Sequence, residues 1–172
     1  KGMDLLADAF LAARARDPRL HLVLAGGGPE ESALRERLGA HATFLGWLGG
    51  TDLARAYASA DAFLFASQTD TFGQVILEAQ ASGLPVIAVG EGGPVSIIEH
   101  AETGLLAAAD PDALAGALVT VTGTPLLAQR LRRNALVDVR TRTWEGSMAQ
   151  LARGYDEALR RTTRNARGAR VA

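Results

Sequence analysis

Cysteine is absent from the 172 residues, which removes a disulfide scaffold, a thiolate metal site and a cysteine nucleophile from consideration. Lysine occurs once, at Lys1, so a phosphate-binding loop ending in Gly-Lys-Ser/Thr is excluded. Aromatic residues make up 5% of the chain and are not interleaved with basic ones, so stacking on single-stranded nucleic acid has no platform. No apolar run approaches the roughly 18 residues of a membrane span. The opening Lys1-Gly2-Met3-Asp4 is not the basic-then-apolar start of a signal peptide.

What remains is an ordinary soluble composition, 48% hydrophobic and 22% charged with a net charge of −1, which fits one globular domain with a sizeable core. The charge is unevenly spread. Residues 1–109 hold 7 basic and 13 acidic side chains, whereas residues 110–172 hold 11 and 6. Five arginines fall between Arg160 and Arg170 among almost no large apolar residues, so residues 161–172 read as a basic, fraying, solvated tail. No nucleic-acid partner is expected.

Helical and β-rich stretches alternate, a rhythm that predicts an α/β fold, Rossmann-like, with a doubly wound parallel sheet. Met3 to Ala13 repeats apolar residues at helical spacing, and Asp17-Pro18 ends it. Strands follow at 21–25, 43–46, 62–66 and 85–89, with helices predicted at 30–38, from Thr51 or Asp52 as cap to Ser59, and at 73–81. The last third reads as helices near 111–121, 125–139 and 144–160. Because a βαβ unit begins with a strand, the opening helix implies a preceding strand that this chain lacks.

Ligands of parallel α/β sheets bind outside the carboxyl ends of the strands. Three loops there suit an anion: Gly26-Gly27-Gly28-Pro29, Thr71-Phe72-Gly73-Gln74-Val75 and Gly90-Glu91-Gly92-Gly93-Pro94 each precede a helix and offer unpaired backbone N–H groups. The dinucleotide pattern G-x-G-x-x-G is absent, since Glu31 and Val95 occupy the third glycine positions. There is no G-x-S-x-G elbow, and His21, His41 and His100 read as structural. Asp110-Pro111-Asp112 resembles a D-x-D metal motif but sits where a helix begins, so capping is the expected role and no metal is assigned. Asp70 and Glu78 frame the loop and first turns around Gly73. A loop carboxylate there can accept from sugar hydroxyls, helix-start amides can hold phosphate, and Glu78 can take a ribose diol.

The run Ser67-Gln68-Thr69-Asp70-Thr71-Phe72-Gly73-Gln74-Val75-Ile76-Leu77-Glu78-Ala79-Gln80-Ala81-Ser82-Gly83-Leu84-Pro85-Val86-Ile87-Ala88 resembles the signature of retaining glycosyltransferases with the GT-B fold, the glycogen-synthase and mannosyltransferase-like superfamily. Lys1 to Leu6 is similar to the family's phosphate-binding lysine turn, Leu22 to Pro29 to its L-x-L-x-G-x-G-P element, and Phe44-Leu45-Gly46 to its base-proximal strand. Ile98 to Leu106 resembles I-x-x-G-x-T-G-L-L, with Ala101 where the family has glycine. The likeness covers residues 1–160.

The resemblance implies the C-terminal, donor-binding half of a two-domain enzyme, residues 1–160, that binds a GDP- or UDP-sugar. Lys1 would serve the diphosphate, Glu78 the ribose, Trp47 and Leu48 the base, and Asp70 with Thr71, Phe72, Gly73, Gln74 and Val75 the sugar and phosphate, while Gly28, in its anion-suited loop, is a further substrate-binding candidate. Asp70 stands where the family more often has glutamate, which bears on sugar identity. The acceptor, a lipid or glycan, would be held by an N-terminal domain absent here, and the helix from Thr143 to Leu159 would lack its partner. No cofactor or metal is implied. The expected compartment is the cytoplasm, with peripheral membrane contact through the missing domain. A GT-B epimerase and an inactive nucleotide-binding module are the alternatives.

Overall fold

The computed structural model describes the backbone of residues 2–168 and the side chains of residues 2–160. Lys1 and residues 169–172 lie outside the described residues. In chain order the elements are α1 (Met3–Arg16), β1 (Leu22–Ala25), α2 (Glu31–Leu38), β2 (Ala42–Gly46), α3 (Gly50–Ala58), β3 (Phe63–Phe65), α4 (Gln74–Ala81), β4 (Val86–Val89), α5 (Pro94–Ile97), β5 (Leu105–Ala107), α6 (Pro111–Gly123), α7 (Pro125–Thr141) and α8 (Trp144–Gly168). The chain divides into two compact units, one ending at Val139 and one beginning at Arg140.

Alternation along the strands places the core of the first unit. All four residues of β4 are buried, as expected for a parallel strand covered on both faces. Ile87 and Val89 pack with Leu6, Ala9, Leu114 and Leu131, whereas Val86 and Ala88 pack with Ile76, Ala79, Ile97 and Ile98. Helices α1, α6 and α7 thus cover one face of this strand, and α4 and α5 the other. In β1 only Leu22 and Leu24 point inward, towards Ala7, Phe10, Leu34 and Leu38. Its Val23 is exposed.

The expected parallel pairing is present, but hydrogen bonding divides it into two sheets rather than one. β1 pairs with β2, and β3, β4 and β5 form a separate ladder in that order. Helix α1 spans the division, since its core packs against Leu22 and Leu24 of β1 and Leu64 of β3 alike. Two ends of helices differ from or match their sequence readings for local reasons. Gly49 is the N-cap of α3, which puts Thr51 and Asp52 inside the first turn, where Asp52 pairs with Arg55 at 3.2 Å instead of capping. Asp110 does cap α6, accepting from the Ala113 N–H at 2.9 Å, and Asp112 pairs with Arg16 of α1. His21 and His100 have the structural partners expected of them, Thr43 Oγ1 and the Leu106 N–H.

The second unit contains α8. Thr143 Oγ1 accepts from the Gly146 N–H at 3.0 Å at its start, and Trp144, Met148, Leu151, Tyr155 and Leu159 recur at helical spacing, all exposed. The helix runs to Gly168, taking in the start of the segment 161–172 read as a tail. Among the described residues no helix is long and apolar enough to cross a membrane.

Ala101 has φ 64°, the left-handed region in which its Cβ crowds the backbone at a cost of about 1–2 kcal/mol. That conformation explains why glycine suits this turn. An added glycine also loosens the unfolded chain by about 0.4–1 kcal/mol. Ala101→Gly is therefore expected to raise stability by about 0.5–1 kcal/mol, read from the urea midpoint at unchanged slope.

Candidate functional site

Every loop singled out in the sequence leaves the carboxyl end of a parallel strand. Those after β3 and β4 are braced against each other. The Gly93 N–H donates to the Asp70 carbonyl at 2.9 Å, and a Cβ on Gly93 would stand 2.8 Å from that same oxygen, so any side chain there would force the loops apart. The Gln68 amide donates to Glu91 at 3.2 Å across the same seam.

Helix α4 starts from this seam. Gly73, at φ 70°, is its N-cap and contributes no side chain to the capping. Asp70 supplies what glycine lacks: its Oδ1 accepts from the Phe72 N–H at 3.0 Å and the Gly73 N–H at 2.5 Å. These two of the amides expected near sugar and phosphate are thereby used within the protein. The N–H groups of Gln74 and Val75, at the first two helical positions, make no bond within the described residues and carry the positive end of the helix dipole. Thr71, Phe72, Gln74 and Val75 are all exposed.

Glu78 lies one turn further along α4, half-buried. It has no ion-pair partner among the described residues. Its Oε2 accepts from the Tyr57 hydroxyl at 3.2 Å. Tyr57, near the end of α3, rests on Phe63 with ring centroids 5.8 Å apart. Burial, reinforced by the Glu78 charge and hydrogen bond, pushes the Tyr57 phenol up to about 12. The sequence reading did not include Tyr57. Phe63 of β3 holds its ring, but no local pattern links it to Glu78, 21 positions further along the chain.

The other candidates gather at the two-stranded sheet. Trp47 is 84% exposed, and its indole nitrogen would be 3.1 Å from a Cβ on Gly27, so the ring lies against the loop after β1. Leu48 is half-buried and Gly28 is open to solvent. Lys1 lies outside the described residues. The described residues contain no group of three or more acidic, histidine or cysteine side chains placed to hold a metal ion.

Residues 1–123 match the model of the glycosyl transferases group 1. The chain belongs to this family. Among curated relatives, the GDP-mannose-dependent alpha-mannosyltransferase of Mycolicibacterium smegmatis is 40% identical over 89% of the chain and 40% of its own length. The D-inositol 3-phosphate glycosyltransferase of Actinosynnema mirum is 35% identical over 92% of the chain and 42% of its own. Among solved structures, Anabaena HepE in complex with UDP and glucose aligns at a TM-score of 0.77 with 25% identity, covering 91% of this chain and 45% of that one. This glycosyl transferase chain thus spans less than half the length of each.

Two outcomes follow from the geometry. Asp70→Asn keeps an acceptor for the Phe72 and Gly73 amides and should leave stability within experimental error, while Asp70→Ala should cost about 1 kcal/mol as lost caps do, measured by urea denaturation. The raised Tyr57 value means that the protonated phenol favours the folded state. That contribution is complete below the ordinary value of 10.0 and is lost as pH rises towards about 12. A phenolate absorbance titration in a Tyr155→Phe background should give this late midpoint, and Glu78→Gln should bring it down.

Proposed function

We propose that this chain is the donor-binding part of a retaining glycosyltransferase that takes a GDP- or UDP-linked sugar and passes the sugar to a lipid or glycan acceptor. The observation that carries the reading is Glu78. Among the described residues it is a half-buried carboxylate with one neutral hydrogen-bond donor and no cation, one turn from the open Gln74 and Val75 amides. A carboxylate accepts about four hydrogen bonds, so Glu78 has capacity for both hydroxyls of a ribose. The names of the relatives, a GDP-mannose-dependent enzyme and a structure holding UDP, favour the same ligand class.

In this reading the start of α4 and the Gly28 loop receive the diphosphate, Trp47 and Leu48 lie near the base, and the uncommitted Oδ2 of Asp70 meets the donor sugar. The chemistry is departure of the diphosphate from the anomeric carbon. Helix-start amides and Lys1 stabilise the charge that grows on the leaving group, an electrostatic contribution made where charge develops. The acceptor attacks from the departing face, which gives retention without a covalent nucleophile or a metal. Asp70 positions the sugar and does not attack it.

The rest of the enzyme completes the fold in this proposal. Among the described residues β1 and β3 each pair along one edge, and a single parallel strand between them would produce the strand order of a doubly wound nucleotide-binding sheet. The exposed apolar stripe of α8 is where the acceptor-binding domain docks. The reading places the enzyme in the cytoplasm, with membrane contact made through that domain.

Calorimetry with GDP, UDP and NAD tests the proposal. GDP or UDP should bind without magnesium and more tightly than NAD, and Glu78→Ala should weaken binding by about 1.5–3 kcal/mol, the range for a hydrogen bond to a charged group. Preference for NAD, or unchanged affinity in a folded Glu78→Ala variant, would overturn it.

A further inference from the structure

We propose that Tyr57 is a positioning residue, which holds the Glu78 carboxylate in the orientation that receives the ribose diol through the hydrogen bond from its hydroxyl to Oε2. The inference rests on the donor-binding reading of Glu78 and adds to it a residue from a different helix.

A glutamate side chain on a helix surface turns about three bonds, and fixing it on binding costs rotamer freedom. Among the described residues Glu78 has no cation to hold it. Its side-chain partner among them is the Tyr57 hydroxyl, 3.2 Å away. That hydroxyl is itself fixed in place. The ring packs on Phe63 at a 58° tilt, and Phe63 stacks on Phe65 at 6.4 Å along β3, so the phenol is carried by the strand that leads into the Asp70 loop. Tyr57 also joins the core cluster of Ile76 and Ala79, the α4 residues on either side of Leu77 and Glu78. Strand, phenol and carboxylate thus form one connected support. The bond uses one oxygen in one direction and leaves Oε1 and a second lone pair of Oε2 for a bidentate partner. A phenol that keeps its proton through the neutral range remains a donor throughout, so it orients the carboxylate and does not compete with it for ligand hydroxyls as an acceptor anion would.

A purely structural hydrogen bond would give the same distance, and nucleotides that differ in their ribose hydroxyls separate the two roles. Affinities for GDP and for 2′,3′-dideoxy-GDP are measured on the chain and on Tyr57→Phe, Glu78→Gln and the double variant, with UDP and its dideoxy form used instead if UDP binds more tightly. Tyr57→Phe keeps the ring on Phe63, so the fold is retained. The expected result is a loss of about three- to tenfold for GDP in Tyr57→Phe, no change for the dideoxy form, and no further loss when Tyr57→Phe is added to Glu78→Gln. If Glu78→Gln discriminates between the two nucleotides and Tyr57→Phe does not, Tyr57 is structural and this inference is overturned while the reading of Glu78 stands. If Glu78→Gln weakens both equally or neither, or if no nucleotide binds, the diol assignment fails and takes the role of Tyr57 with it.

Discussion

β4 has no solvent face, and that constraint organises the rest of the first unit. With Ile87 and Val89 buried on one side and Val86 and Ala88 on the other, helices must cover both faces of its sheet. Chain connections are then confined to the strand ends. The loops after β3 and β4 emerge side by side because their strands are hydrogen-bonded neighbours, and Gly93 lets them close to backbone contact. The start of α4 is therefore set by the core. Asp70, Gly73 and Glu78 take their places from a helix whose Ile76 and Ala79 are locked beneath them.

The same segment that is read as receiving a diphosphate carries an excess of acidic side chains, 13 against 7 basic ones in residues 1–109. Attraction of an anion cannot then come from net charge. In the proposed reading it falls to oriented backbone amides, which act only on a group placed at the helix start, together with Lys1. Asp70 sharpens this selection by taking the Phe72 and Gly73 amides for itself, which leaves Gln74 and Val75 as the open pair. In the same proposed reading Glu78, held by Tyr57, meets the uncharged diol a turn away, where a carboxylate is an asset.

Much of this was legible in the residues. Apolar runs such as Val86 to Val89 bounded by glycine and proline marked buried strands, and Asp110-Pro111 marked a helix start that the structure caps as expected. The spacing of Asp70 and Glu78 placed both on one loop and helix. The division into two sheets was not legible, because strand runs carry no statement of which edge meets which, and pairing is a property of the assembled layers. The cap of α3 was misread because Gly49 takes an extended conformation at φ −145° and starts the helix ahead of the better capping residues Thr51 and Asp52. Tyr57 was missed since its partner lies 21 positions away, a contact that no local pattern announces. Ala101 stood out against the family pattern, and its left-handed backbone supplies the physical reason.

The central claim is that the open amides of α4 and the Glu78 carboxylate receive a nucleoside diphosphate. An amide chemical-shift map of the isotopically labelled chain during titration with GDP and UDP tests it most directly. The account predicts the largest shifts at Gln74 and Val75, with further shifts at Glu78, Trp47 and the Gly26 to Gly28 loop, and little change along α6. Saturable binding that moves residues elsewhere and leaves Gln74, Val75 and Glu78 unshifted would contradict it.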